Sequence, residues 1–184
     1  MTRNAYEILK NLLYYGIIKK TNGMSIMDRK FFDNELNLLL TKAEGKIPDE
    51  NLPDLPFMES VPDVHDWYMF EHELWKIGDE IRQLILMGKK ALTQSQIDRI
   101  INICLDERAK RGRQSFVLLL GKKVYQKYSD KIAPLLDSDD IDGQVIDTLY
   151  KMQAGQYVDL IRPFMNHKRT WIKNTAKKYV QKYQ

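Results

Sequence analysis

Residues 131–152, KIAPLLDSDDIDGQVIDTLYKM, and residues 160–180, LIRPFMNHKRTWIKNTAKKYV, are the stretches on which the fold turns. A shift of 29 residues lays Ile132 on Ile161, Pro134 on Pro163 and the run Leu135-Leu136-Asp137 on Phe164-Met165-Asn166. Further back, the same shift carries Phe116 to Val145, Val117 to Ile146 and Leu120 to Leu149. A third first-helix follows at a 31-residue shift, in which Ile172, Ala176 and Val180 match Ile141, Val145 and Leu149. Each unit reads as a helix, a short turn, a second helix containing proline, and a polar turn. A period near 30 residues built from helix pairs predicts units that cannot bury their apolar faces alone and must stack on neighbours.

Working towards the N-terminus, the spacing stays helical. Thr93 followed by Gln96 forms a capping box for a helix that turns Ile97, Ile100, Ile101 and Cys104 inward. From Val64, one face carries Trp67, Phe70, Leu74 and Ile77, continued by Ile81, Leu84 and Ile85 up to Gly88. At the start of the chain the pattern predicts a helix over about residues 4–20, ended by Asn22-Gly23. A second helix runs from a Ser25 cap to about Ala43, burying Phe32, Leu36, Leu39 and Leu40.

Between these two regions, residues 46–63 hold Pro48, Pro53, Pro56 and Pro62 among five acids and cannot be helical throughout. Their apolar members, Leu52, Leu55, Phe57 and Met58, favour a docked arm over a free linker. The domain reading is therefore an N-terminal helical hairpin over 1–45, an acidic Pro-rich arm or linker over 46–63, and helical repeats over 64–184. The hairpin and the repeats pack as one domain.

The two quoted strings resemble HEAT-type (armadillo-type) repeats, in which a proline-containing second helix ends in Leu-Leu-Asp and the next helix opens with an aliphatic-plus-basic pair. Ile172-Lys173 fits that opening, while Ile141-Asp142 and Asn166 depart from the pattern. The likeness covers residues 112–184 closely and 64–111 loosely. It implies an all-α chain, a right-handed α-solenoid of HEAT-like helix pairs with eight to ten helices. Such stacks serve as protein scaffolds, transport receptors and, in one branch, DNA glycosylases that use stacked aromatics and a carboxylate in a basic cleft.

The 184 residues (21.8 kDa) are 43% hydrophobic and 29% charged, a composition that excludes a disordered or collagen-like chain. Net charge is only +4 but unevenly spread: residues 1–92 carry 12 basic and 15 acidic side chains, residues 93–184 carry 17 and 10. One cysteine, Cys104, excludes a disulfide framework and agrees with a reducing compartment. No apolar run reaches the 18 or so residues of a membrane span and no cleavable leader stands out, so a cytoplasmic protein without membrane attachment is expected.

No motif announces chemistry. His65, Asp66, Glu71, His72 and Glu73 are the one cluster with metal-ligand side chains, yet His65 and His72 would lie about 10 Å apart along a helix. The run Asp137, Asp139, Asp140, Asp142 fails the calcium-loop spacing and reads as helix capping near Ile141. Gly121-Lys122, taken as helical, has no phosphate loop before it, and no nucleophile or dinucleotide motif occurs. Cys104 on an apolar stripe predicts a poorly ionised thiol. No catalytic residue, cofactor or metal is assigned, and enzymatic activity is not the favoured reading.

The candidate partner- or anion-binding residues are Arg162, Lys168, Arg169, Lys173, Lys177, Lys178 and Lys182, seven cations without an acid, interleaved with Trp171, Tyr179 and Tyr183. The aromatic residues, with Ile172, Thr175, Ala176 and Val180, fall at helical spacing and are expected to pack inward, leaving the lysines on the polar face of a terminal repeat. The expected function is a non-catalytic scaffold that binds an acidic protein or peptide. The alternative is a nucleic-acid-binding protein or a DNA glycosylase-like HEAT-repeat enzyme using the basic C-terminal half.

Overall fold

A computed structural model describes residues 18–21, 24–59 and 65–184. Ile18–Thr21 (β1) pairs antiparallel with Met24–Met27 (β2), Ile18 standing opposite Met27. The helix expected up to Lys20 therefore does not reach that far, and the rest of it lies outside the described residues, as do Asn22 and Gly23. With strands on either side, the two-helix hairpin expected over 1–45 is replaced in its described part by a ribbon leading into one helix. That helix, Arg29–Glu44 (α1), starts later than the Ser25 cap predicts. Asp28 caps it by accepting from the Phe31 amide at 3.1 Å, which satisfies one of the free donors of the first turn.

The remainder is helical. Met69–Gly88 (α2) opens with the Glu71 carboxylate accepting from the Tyr68 amide at 3.1 Å. Gln94–Leu105 (α3) opens with the Thr93/Gln96 capping box that the sequence predicts. Gln114–Leu119 (α4), Ser129–Ile132 (α5), Asp142–Met152 (α6), Val158–Ile161 (α7) and Thr170–Tyr183 (α8) follow, with 3₁₀ turns between them. Eight α-helices thus stand among the described residues, and the chain is all-α apart from the two-stranded ribbon. None of these helices is long and apolar enough to cross a membrane.

The 29-residue register is visible in the backbone. α5 and α7 coincide residue for residue under that shift, as do the 3₁₀ turns Ala133–Asp137 and Arg162–Asn166. Pro134 and Pro163 are the second residues of those turns. Proline lacks the amide an α-helix would need and its ring crowds the preceding turn, so each second helix tightens into 3₁₀ geometry at the same point. Tyr128 and Tyr157, and Asp130 and Asp159, share the shift although the apolar pattern does not single them out.

The repeat positions fill the core: Phe116, Val117 and Leu120, their counterparts Val145, Ile146 and Leu149, and Ile172, Ala176 and Val180 are all buried. Tyrosine hydroxyls then join neighbouring units. Tyr128 donates to Gln94 Oε1 at 2.6 Å, Tyr157 reaches Ser129 Oγ at 3.0 Å, and Tyr179 donates to the Ala154 carbonyl. Two glycines allow close approach. A Cβ on Gly78 would lie 2.1 Å from Ser115 Oγ, where α2 meets α4. A Cβ on Gly143 would strike the Trp171 ring at 2.1 Å. Trp171 is accordingly laid over α6 from the outside, and at 46% exposure it is less buried than its helical spacing predicts.

The described part of the arm, up to Glu59, is docked, but mainly through polar groups. Lys110 Nζ binds Asp54 at 2.7 Å, Arg108 Nη1 donates to the Asp49 carbonyl at 3.1 Å, and the Tyr68 hydroxyl donates to the Pro53 carbonyl at 3.0 Å. Leu52, Leu55 and Met58 are half-buried, and Phe57 stays 58% exposed.

Candidate functional site

Two helix-ending turns of the same composition build a cationic concavity. Gly88-Lys89-Lys90 ends α2, and Gly121-Lys122-Lys123, 33 residues later, follows α4. Gly121-Lys122 is therefore not helical, contrary to the expectation from sequence: the Lys122 backbone is extended at φ −142°, ψ 145°. Lys89 takes the left-handed conformation, φ 48°, that ends α2, a position where glycine is usual and a side chain is strained. Between the turns lies a groove of about 630 Å³. Leu92, Ile97, Tyr125 and Tyr128 form its buried floor, and Leu86 (55% exposed) and Val124 (70% exposed) stand on its walls.

Four lysines, Lys89, Lys90, Lys122 and Lys127, line this groove, and among the described residues no carboxylate does. The floor is held by the Tyr128–Gln94 hydrogen bond, and Lys127 Nζ lies 4.9 Å from the centre of the Tyr128 ring. Arg29 Nη1 donates to the Ala91 carbonyl at 2.7 Å and fixes the turn from the α1 side. Burial raises the Tyr125 phenol above its ordinary range, keeping it neutral. The surface thus offers apolar contact beside four ammonium groups, a chemistry suited to carboxylate-bearing apolar ligands.

The seven C-terminal cations are not one surface. Arg162 pairs with Asp159 at 3.7 Å, and Lys182 lies over Tyr150 and Tyr183 at 4.4 and 4.9 Å. Lys177 and Lys178 are exposed and Lys173 half-buried on α8. Lys168 and Arg169 instead line a second, smaller cleft of about 230 Å³ with Phe57, His65, Arg111, Asp139, Asp140 and His167.

The residues considered as metal ligands, of which His65 alone lines that cleft, take structural roles. His65 donates from Nδ1 to the Leu55 carbonyl and stacks on Phe57 at 4.1 Å. His72 stacks on Trp67 at 4.9 Å, Glu73 pairs with Lys46 at 2.8 Å, and Asp66 accepts from the Trp67 amide. Glu71 is fully buried, accepts from the Arg111 amide at 3.2 Å, and has its carboxyl raised by that burial. Among the described residues no group of three such side chains could hold a metal ion. Arg111 spans the site: it reaches the carbonyls of His65 and Asp66, sits 3.6 Å from Glu71 and 3.5 Å from Asp140, and lies over Trp67 at 5.2 Å.

Of the aspartate run, only Asp142 enters the first turn of α6. It accepts from the Gly143 amide, faces His167 at 3.5 Å, and burial raises its carboxyl. Asp139 and Asp140 line the cleft rather than cap a helix. Cys104 is fully buried and its thiol is pushed up to about 12, so it is a neutral core side chain.

Hydrophobic spacing gives no sign of the groove lysines, although the repeated Gly-Lys-Lys is present in the sequence. Comparison of the chain with known protein families, with curated proteins and with solved structures finds no match in any of the three.

Proposed function

We propose that the chain is a HEAT-like helical-repeat protein that binds, without catalysis, an acidic segment of a partner protein in the groove between the two Gly-Lys-Lys turns. The observation carrying this reading is the lining itself, four lysines around exposed Leu86 and Val124 with no acid among the described lining residues. Such a surface steers a carboxylate-rich segment electrostatically and rewards it with apolar burial. The shared 29-residue register of α5 and α7 supports the repeat reading.

The test uses a fluorescein-labelled decapeptide of alternating Glu and Leu. Wild-type protein binds it, and the triple variant Lys89→Glu, Lys122→Glu, Lys127→Glu binds at least tenfold more weakly. The melt should barely move, since exposed substitutions shift stability by about 0.5 kcal/mol or less each. Equal affinity before and after charge reversal refutes the groove as the binding surface.

A second reading, nucleic-acid binding, is favoured by the smaller cleft. There the Phe57–His65 stack stands beside Arg111, Lys168, Arg169 and two carboxylates, an aromatic and a carboxylate in cationic surroundings. Binding of a single-stranded (dT)20 that falls steeply on a log–log plot against salt supports it, and indifference to (dT)20 at low salt removes it.

A further inference from the structure

The arm is held in an unusual way. Its seat, formed by the 3₁₀ turn Glu107–Arg113 and by residues 65–68, donates mainly to main-chain carbonyls: Arg108 to Asp49, the Tyr68 hydroxyl to Pro53, the His65 ring to Leu55 and the Asp66 amide to Pro56. One side chain is read, the Asp54 carboxylate on Lys110. Donation to carbonyls of an extended segment, with one charged position specified, is how proteins recognise peptides largely independently of sequence.

Nor do the described residues of the arm fill this seat. On one side a cavity of about 390 Å³ remains between Asn51–Asp54 and the body, where Lys110 and Arg113 stand among Glu107, Asp137 and Asp140. On the other, Phe57 and His65 roof the 230 Å³ cleft.

Lys110 itself is held at φ 44°, ψ −134°, the geometry of the first central residue of a type II′ turn, where glycine is the favoured residue. A lysine stands there in spite of the conformation, and its side chain has the Asp54 carboxylate as its hydrogen-bond partner.

We infer that this seat is a docking site for an extended, proline-spaced segment of a partner protein carrying a carboxylate where Asp54 stands, and that the arm occupies it in cis. The arm is then a competitor at an effective concentration in the millimolar range, which a trans segment must outweigh in affinity. The site is separate from the lysine groove, so the two readings stand or fall independently.

The probe is a fluorescein-labelled peptide of residues 46–59, KIPDENLPDLPFME. Asp54→Asn in the full chain weakens the cis arm, and this variant should bind the peptide about tenfold more tightly than wild type. Adding Lys110→Gly, which suits the left-handed backbone while deleting the ammonium, should abolish that gain with the melt retained. Equal affinity in wild type and Asp54→Asn overturns the proposal, as does binding that ignores Lys110→Gly. Loss of peptide binding on charge reversal of Lys89, Lys122 and Lys127 would assign the peptide to the groove and likewise overturn it. Displacement of the bound peptide by an equal concentration of (dT)20 would make the seat a nucleic-acid surface, with the same consequence.

Discussion

The C-terminal repeats and the acidic arm are both docked, yet they are held by opposite means. Ile172, Ala176, Tyr179 and Val180 of α8 are buried against the preceding helices, and Tyr179 adds a buried hydrogen bond. The arm keeps Phe57 largely outside and relies on Lys110–Asp54, Arg108 and Tyr68. Apolar burial is not screened by salt, does not titrate and is lost by unfolding, whereas exposed charge pairs weaken with salt and with acid. The difference predicts a molecule whose repeats unfold as a unit while the arm can lift alone.

The largest effect should follow from removing α8. Deleting residues 170–184 uncovers the faces that Ile172, Tyr179 and Val180 occupy, each worth about 1.5–3 kcal/mol, out of a typical domain total of about 5–15 kcal/mol. The truncated chain is expected to aggregate or to lose its cooperative melt. A soluble product melting like the full chain would erase the contrast with the arm.

A smaller pair of substitutions sharpens the same contrast. Gly78→Ala places a methyl 2.1 Å from Ser115 Oγ and 2.7 Å from its Cβ, and both α2 and α4 are too well packed there to yield. Overpacking of this kind costs about 1–3 kcal/mol and should lower the urea midpoint accordingly. Phe57→Ala, at an exposed arm position, should move that midpoint by no more than about 0.5 kcal/mol equivalent. Similar losses from both would mean that the arm shares the core's cooperativity.

What the sequence revealed divides along the same line. Helices and core positions of the repeats were legible because apolar spacing reports burial, and Pro134 and Pro163 marked the register. The ribbon at the start was not, because apolar residues around 4–20 satisfied a helical template. Asn22-Gly23 with Ile18 and Ile26 on either side carried the competing hairpin signal. Prolines and apolar anchors told of an arm, but its seat depends on Lys110 meeting Asp54 across 56 residues, a pairing no local pattern encodes. The groove was hidden for a related reason. Its lysines sit in turns, where hydrophobic periodicity is silent, and only the fold sets Gly88-Lys89-Lys90 opposite Gly121-Lys122.

The smallest and most selective effect is that of acid, which should act with opposite sign on the two regions. Asp54 faces Lys110, His65 and Arg111, and the Lys110 ammonium holds its carboxyl below the ordinary value of 3.8. A depressed folded-state value contributes stability that is complete above the unfolded value and disappears as pH falls through the folded one. Glu71 and Asp142 are shifted the other way, raised above 4.5 and 3.8 by burial. Their folded forms bind protons more readily than the unfolded chain, so acidification through that range adds to the stability of the body. Lowering the pH below about 3.8 should therefore release the arm before the repeats unfold. Two-dimensional NMR should show the Phe57–His65 ring stacking disappear while far-UV circular dichroism stays helical. Asp54→Asn should show the loosened arm already at neutral pH. Simultaneous disappearance of the ring stacking and of helicity, in wild type and variant alike, would show that the arm and the repeats are one cooperative unit.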